Sequence, residues 1–249
     1  RTITNDANAG DFQPDFLWVK NRTHGEDHNL VNTSVGVDKY QVSNTSATEA
    51  SDTDRCTGVT SNGFSIGTDH RWNRTSGNYA VWQWKANGGT TASNTDGSIT
   101  STVQVNDDAG FSIVLYTGNE TDNATIGHGL SAAPDVVIVK NRETARTWLV
   151  GHSAYVNGGN SENIRLNSTD SVYTASSEAG SGWSRTAFGS SVFTVGNGTD
   201  GDYTSSTNNG TDDHVAYCFR SIQGYSKFGS YVGNGVSNNG TFAYTGFSP

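Results

Sequence analysis

One nine-residue sequence occurs twice in this chain, and this duplication limits the possible folds more than any other feature. PDFLWVKNR occupies residues 14–22, and PDVVIVKNR occupies residues 134–142, 120 positions later. Each copy places four consecutive apolar residues between Pro-Asp and Lys-Asn-Arg. Such a run is typical of a strand buried on both faces, because a strand with one wet face alternates polar and apolar residues. The duplication therefore predicts two copies of one β unit.

Other segments recur in the same order in the two halves of the chain. The pairs are FSIG at 64–67 with FTVG at 193–196, YAVWQWKA at 79–86 with HVAYCFRS at 214–221, and YTGN at 116–119 with YVGN at 231–234. The order is kept while the spacing changes, which is expected when strands are retained and the connecting loops diverge. We predict a strand at each of these segments, with long polar loops between them.

The composition favours an all-β chain whose turns are formed by Gly, Asn and Asp. The sequence has 30 Gly and only 3 Pro, and its 10 Tyr, 10 Phe and 6 Trp can supply a core. No segment shows the 3.6-residue period of an amphipathic helix. We predict two tandem antiparallel β-sandwich modules, of the jelly-roll or lectin-like kind. The first spans residues 1–133 and the second, a repeat of the first, spans residues 134–249.

The ends of the sequence fall near the same point of the predicted repeat. The first Pro-Asp is reached without a preceding YTGN strand, and AYTGFSP at 243–249 is similar to the segment that leads into the second Pro-Asp. Two explanations fit this position of the two ends. The sequence belongs to a longer array of modules, or a strand of one module is completed by a neighbouring subunit.

Charge and cysteine content narrow the classes of partner. The net charge is −9 and the pI is about 4.9, which disfavours nucleic acid because phosphate binding needs clustered Lys and Arg. No apolar run approaches the 18 residues of a membrane span, so we expect no membrane insertion. Cys56 and Cys218 form either a disulfide between the halves or two separate buried thiols.

The strand segments resemble an uncharacterised tandem β module of bacteriophage virion and tail-associated proteins, especially those of marine phages. The resemblance is carried by PDxxxVKNR in both copies, by TIGHGL and AAPD within residues 125–135, and by GYSKFGSYVGNG at 224–235. It covers most of residues 14–249 through the strands, and it does not extend to the loops. It implies a structural, fibre-like or surface-displayed virion protein, and no catalytic residue is carried over with it.

Several polar motifs contain residue types that could bind a metal or carry out catalysis. HGEDH at 24–28 has two histidines four residues apart, but Gly25 and the strand before it favour a loop over a helical zinc site. GHSAY at 151–155 lacks the second glycine of a nucleophile elbow around Ser153. The acidic residues lie in loops, which gives little support to a glycosidase with a raised carboxyl pKa. Calcium stays possible at Asp200, Asp202, Asp212 and Asp213, since carboxylate oxygens are its preferred ligands.

Two tryptophans lie in polar segments rather than in predicted strands. Trp72 belongs to DHRWNRTSGN and Trp183 to GSGWSRT. An exposed indole can stack on a sugar ring, so these two residues are the candidate carbohydrate-binding site, with packing in the core or in a subunit interface as the alternative. The motif cations Lys20, Arg22, Lys140 and Arg142 form a second candidate ligand site, against a purely structural role.

These observations predict a non-enzymatic virion structural protein, such as a tail fibre, an appendage or a capsid decoration. We expect it at the virion surface or outside the cell, in contact with other virion proteins and assembled as a homo-oligomer. The alternative is a carbohydrate-binding or receptor-binding adhesin module that recognises a glycan on the host surface. A polysaccharide-degrading enzyme is the third hypothesis. No cofactor other than calcium is expected.

Overall fold

The computed structural model describes residues 1–5, 10–156, 162–174, 182–196, 204–237, 240 and 242–247. This part of the chain contains nineteen strands and three short helices. The strands are β1 (Thr2–Thr4), β2 (Phe16–Asn21), β3 (Asn29–Asn32), β4 (Gly36–Val42), β5 (Ala50–Ser51), β6 (Cys56–Thr60), β7 (Gly63–Ile66), β8 (Tyr79–Trp84), β9 (Ala92–Asn94), β10 (Ser101–Asn106), β11 (Phe111–Thr117), β12 (Thr125–Gly127), β13 (Val136–Asn141), β14 (Leu149–His152), β15 (Glu162–Arg165), β16 (Tyr173–Thr174), β17 (Trp183–Phe188), β18 (Val192–Val195) and β19 (Asp213–Phe219). The helices are α1 (His70–Asn73), α2 (Ser153–Val156) and α3 (Thr204–Asn208). The prediction of an all-β chain is confirmed.

The strands form four antiparallel sheets. Two sheets have three strands, in the orders β1-β7-β6 and β12-β18-β17. A five-stranded sheet has the order β5-β4-β3-β2-β8, and an eight-stranded sheet has the order β16-β15-β14-β13-β19-β11-β10-β9. The eight-stranded sheet joins strands from both sides of the predicted boundary at residues 133 and 134, because β11 pairs with β19. The boundary between two modules stays a prediction.

The two large sheets pack face to face through a central aromatic layer. The ring of Phe16 in β2 stacks on that of Tyr217 in β19, with 4.1 Å between ring centroids. The side-chain amide of Asn32 donates a hydrogen bond of 3.0 Å to the Tyr217 hydroxyl, and the indole N–H of Trp148 donates to the carbonyl of Val42 across the same interface. The polar atoms that these aromatic residues bring inside are thus bonded.

The three-stranded sheets cover the outer faces of the two large sheets. Leu17 and Val19 point from β2 toward Phe64 of the sheet β1-β7-β6. Val137 and Val139 point from β13 into the second outer layer. Since alternate residues of a strand face opposite sides, this arrangement buries both faces of β2 and of β13. The four continuous apolar residues in each repeated motif are needed for that reason.

Equivalent strands of the two halves pair in the same way. Three strand pairings recur in this way. Trp18 lies opposite Trp82 and Leu30, as Ile138 lies opposite Tyr217 and Val150, and Ile3 lies opposite Phe64, as Ile126 lies opposite Phe193. These pairs match the correspondences that the sequence indicates. The two large sheets differ in the neighbours of β19 and β8. β19 lies between β13 and β11, whereas β8 is the last strand of its sheet.

The predicted loops and strands needed three corrections. The polar segments 43–54 and 87–98 contain the short strands β5 and β9, which pair through their backbones with little help from side chains. Three one-turn helices lie between strands, although no helix was predicted. YVGN at 231–234 was predicted as a strand, and residues 228–237 contain neither helix nor strand. Among the described residues, no helix is long and apolar enough to cross a membrane.

Candidate docking site

The aspartate of each repeated motif accepts hydrogen bonds from the backbone that follows the neighbouring strand. The Asp15 carboxylate accepts hydrogen bonds from the backbone N–H groups of Ala86, at 2.7 Å, and Gly88, at 2.9 Å. The Asp135 carboxylate accepts one from the N–H of Ser221 at 2.6 Å. Ala86 and Ser221 are equivalent, because each is the second residue beyond the strand. Such charge-assisted bonds fix the position of the backbone beyond each strand.

The lysine of each motif donates to a backbone carbonyl six residues further along the chain. The Lys20 ammonium donates to the backbone carbonyl of Glu26. The Lys140 ammonium donates to the backbone carbonyl of Arg146 at 2.8 Å and also to that of Ser46, from the other half of the chain, at 3.2 Å. Lys140 is completely buried. Burial without a carboxylate partner lowers its pKa to about 8, since an ammonium loses hydration in the interior.

The asparagine of each motif stabilises the turn that follows it. Its side-chain oxygen accepts from the backbone N–H groups two and three residues on, at 2.9 and 3.0 Å for Asn21 and at 2.9 and 2.8 Å for Asn141. This is the local side-chain-to-backbone bonding for which Asn is favoured in turns. The amide of Asn141 also donates to the Asp212 carboxylate at 2.8 Å.

The arginines that end the two motifs have different surroundings. Arg142 forms a two-point ion pair with Glu49, with both N–O distances at 2.9 Å, and this pair links the two large sheets. Arg22 is exposed. Three of the four motif cations are therefore held by intramolecular bonds, which supports the structural interpretation over the ligand site proposed for them.

Trp72 and Trp183, the candidate carbohydrate-binding residues, are both buried, which agrees with the alternative of packing in the core. Their exposed fractions are 3% and 0%. Trp72 lies in α1, and Asp69 caps that helix by accepting from the Arg71 N–H, which turns the indole edge-on to Phe64. Trp183 begins β17 within the outer core. Neither indole presents an open face to solvent on which a sugar could stack, because both side chains are almost fully buried.

The calcium candidates divide into two groups. Asp200 and Asp202 lie outside the described residues. Asp212 accepts from the amides of Asn141 and Asn209, and Asp213 accepts from the Thr117 hydroxyl at 2.8 Å. These bonds use the carboxylate oxygens for contacts within the protein. Among the described residues, no three His, Cys, Asp or Glu side chains are grouped as around a metal ion.

The motifs HGEDH and GHSAY lie in a loop and at the start of a helix, respectively. HGEDH at 24–28 lies in the loop between β2 and β3. Ser153 starts α2, and its N–H donates to the Asp135 carbonyl at 2.8 Å. Gly151 is required there because a Cβ atom would lie 2.9 Å from the Trp183 ring.

Both cysteines are buried, free thiols. Burial raises the pKa of Cys56 to about 11 and that of Cys218 to about 12. Neither thiol is a ready nucleophile at neutral pH, because the thiolate is the reactive form.

The outer edge of β8 has no strand beside it in the described part of the chain. The N–H of Arg22 bonds the carbonyl of Asn78 at 2.7 Å. Because hydrogen-bonded and non-bonded pairs alternate along an antiparallel ladder, the N–H groups of Tyr79, Val81 and Gln83 point away from β2. Exposed edges of this kind are templates for pairing with another strand.

A cavity of about 620 Å³ lies beside this edge, between β8 and the sheet β1-β7-β6. Its apolar lining includes Ile3, Phe64, Trp72 and Val81. The indole N–H of Trp72 is buried and has no hydrogen-bond partner in the described part of the chain. The sequence did not predict this cavity.

In the other half, β11 fills the corresponding space. Tyr116 of β11 packs edge-on against Phe193, stacks on His214 with 5.1 Å between centroids, and donates from its hydroxyl to the Thr207 carbonyl at 2.7 Å. By register, Phe193 and His214 correspond to Phe64 and Tyr79, which line the cavity. Two rings that line the cavity thus match in register the two rings that Tyr116 contacts.

The chain belongs to the family described as "Domain of unknown function (DUF7483)", which matches residues 2–249. Comparison with curated proteins and with solved structures finds no match. The family description makes no statement about phage particles, so the resemblance to virion modules stays a prediction.

The motif asparagines give a direct test of the structural interpretation. We expect Asn141→Ala to lower the free energy of unfolding by about 1–3 kcal/mol, because two N–H groups and one carboxylate lose a partner. Asn21→Ala should cost less, since its amide bonds the Tyr79 hydroxyl at 3.3 Å rather than a carboxylate. Urea midpoints measure both, with the exposed Asn87→Ala as control. Wild-type midpoints for both variants would contradict the interpretation.

His214 should make the protein sensitive to mild acid. Burial lowers its pKa to about 4, and its Nε2 is buried without a hydrogen-bond partner among the described residues. Between pH 6.5 and 4 the unfolded chain binds a proton that the folded chain does not, so stability falls as pH falls through this window. The contribution is about 2 kcal/mol between pH 7 and pH 5, at roughly 1.4 kcal/mol per unit.

Urea unfolding at pH 7 and pH 5 measures this loss in the wild type and in His214→Phe, which keeps a ring on Tyr116. The variant should lose about 2 kcal/mol less than the wild type over the interval. Equal losses in the two proteins would show that His214 does not carry the effect.

Proposed function

We propose that this chain is a non-enzymatic structural protein of a bacteriophage particle, as part of a tail fibre, an appendage or a capsid decoration. One observation carries the proposal. In both copies of the motif that resembles virion modules, the Asp, Lys and Asn side chains bond the chain's own backbone. The part of the sequence that is most strictly repeated therefore builds the sheets, which is the use expected of a structural module.

We further propose that the fold consists of two tandem β-sandwich modules related by an internal repeat. The common register of the strand pairs supports this, because Trp18 and Ile138 meet equivalent partners on both sides. A large sheet covered by a three-stranded sheet occurs in each half. The strands β9–β11 would then belong to the sandwich of the second module, although they precede residue 134 in sequence.

In this proposal the protein acts at the virion surface, as a homo-oligomer in contact with other virion proteins. The acidic net charge supports a soluble, displayed surface. Stacked sheets, with a central layer of aromatic rings and an ion pair between sheets, suit a mechanical role because each sheet is held through side chains on both its faces.

Immunogold labelling of phage particles purified from cells that produce the chain tests this function. Antibodies raised against residues 1–249 should place gold at regular positions on a tail or a capsid, and the chain should sediment with the particles. Antibodies against a soluble host enzyme serve as control. Recovery of the chain only in the soluble fraction, with unlabelled particles, would overturn the proposal.

A further inference from the structure

We propose that a polar cavity between the two halves of the chain binds a divalent oxyanion, the sulfate or phosphate group of a small molecule or of an acidic polymer. The cavity has a volume of about 340 Å³ and lies where the loop between β4 and β5 meets the loop between β13 and β14. Arg146 and Arg165 bring positive charge to it, and Ser46, Asn167 and Ser168 bring neutral donors. This site is separate from the proposed virion role and does not depend on it.

The charge at this cavity is opposite in sign to that of the whole chain. The net charge is −9, with 24 acidic and 15 basic residues, whereas the seven residues that line the cavity include two arginines and no carboxylate. Arg165 also pairs with Asp170 at 3.2 Å, and Arg146 has interactions of its own within the chain. A guanidinium has five N–H donors in a fixed fork, so a single ion pair does not use all of them.

A third cation lies against the backbone of the cavity. Lys140 is completely buried, and its ammonium donates to the carbonyls of Ser46 and Arg146, two of the residues that line the cavity. Both of these bonds go to neutral groups, and a pKa of about 8 leaves the ammonium charged at pH 7. Its field therefore adds to that of the arginines, and it acts more strongly across the protein interior than it would across water.

The neutral side chains of the cavity have their oxygen atoms already engaged as acceptors. The Asn167 oxygen accepts from the Thr147 hydroxyl at 2.6 Å and from the Trp148 N–H at 2.9 Å, which leaves its NH2 group for a ligand. The Ser168 oxygen accepts from the Asp170 N–H at 3.1 Å, so its hydroxyl proton is left to donate. A surface of donors matches a ligand that only accepts, such as an ionised sulfate or phosphate group.

Two other classes of ligand do not match this lining. Calcium is held by carboxylate and carbonyl oxygens, and the residues that line the cavity provide two guanidinium groups and no carboxylate. A neutral sugar is held by an aromatic ring face together with donors and acceptors, and none of the lining residues is aromatic. An anion is the ligand that the lining favours.

The cavity is held in shape before any ligand binds. The Lys140 ammonium joins the loop that contains Ser46 to the loop that contains Arg146. β14 pairs with β15 beside the cavity, with Leu149 opposite Arg165. Because the walls are fixed by bonds within the chain, little order has to be gained on binding, and this favours the affinity of a small ion.

Titration of the full chain with sodium sulfate tests the site. The ionic strength is held constant with sodium chloride, so that general screening does not change during the titration. We expect the amide NMR signals of Thr147 and Ser168 to shift along one saturation curve, while the amides of the sheet β1-β7-β6 do not move. Signals of Thr147 and Ser168 that show no saturable shift would overturn the proposal.

Arg165→Gln separates a specific site from general attraction to cations. It should weaken sulfate binding by at least about tenfold, because charge-assisted hydrogen bonds are lost. The matched control is Arg71→Gln, since Arg71 also pairs with an aspartate at 3.2 Å, that of Asp69, and does not line the cavity. The control should bind sulfate as the wild type does. Equal affinities of the wild type and Arg165→Gln, or equal losses in the two variants, would contradict the assignment.

Ser168→Ala gives a second measurement in which both arginines and their ion pairs are kept. The loss of one neutral donor to an anion should weaken sulfate binding by about fivefold. Wild-type affinity in this variant, together with wild-type affinity in Arg165→Gln, would show that sulfate binds elsewhere.

Two further titrations define the ligand. Acetate carries one charge and should bind at least about fivefold more weakly than sulfate, because two guanidinium groups face it; equal affinities would overturn the choice of a divalent anion. Dextran sulfate, with uncharged dextran as control, should shift the same amides. Binding at least about tenfold tighter per sulfate group than the free ion would identify a polymer as the source, and equal affinity would identify a small molecule. Binding of dextran sulfate that leaves Thr147 and Ser168 unchanged would place the anion outside this cavity and overturn the proposal.

Discussion

The packing of Phe16 on Tyr217 fixes the arrangement of the whole molecule. It brings the five-stranded and the eight-stranded sheet together, and each of those sheets then has an outer face that must be covered by a three-stranded sheet. Strands in the middle of such a stack must be apolar on both sides. The four consecutive apolar residues in each repeated motif satisfy this requirement, as does the apolar run at residues 215–219 of β19.

Burial on both sides also determines the polar residues of the motif. A buried polar group is costly unless it is bonded, and the backbone at the ends of β2 and β13 leaves N–H and carbonyl groups that need partners. The carboxylates of Asp15 and Asp135 accept hydrogen bonds from backbone N–H groups. The ammonium groups of Lys20 and Lys140 donate to backbone carbonyls. A sequence pattern that looks like a catalytic or ligand-binding signature is here explained by the hydrogen bonds of a buried sheet.

The sequence predicted those elements in which local pattern and burial agree. The apolar runs at residues 16–19 and 136–139 identified β2 and β13, and the correspondence of Trp82 with Tyr217 gave the correct strand register. The sequence left the burial of Trp72 open, because its polar neighbours do not show that a one-turn helix turns the indole inward. β9 was missed because an edge strand pairs through its backbone whatever its side chains. The candidate site depended on a comparison of two sheets in space, which no single segment contains.

Two segments of similar sequence can differ in structure when their surroundings differ. YTGN at 116–119 begins within β11, which is paired with β19. YVGN at 231–234 is neither helix nor strand. A single strand has little stability without a neighbour, so sequence similarity alone did not predict the structure of YVGN.

Amide hydrogen exchange at Val81 and Ala216 tests this account most directly, because the two residues occupy equivalent positions that differ only in whether a strand lies beside them. The amide of Ala216 should be protected, and that of Val81 should exchange rapidly. Protection of Val81 equal to that of Ala216 would contradict the account.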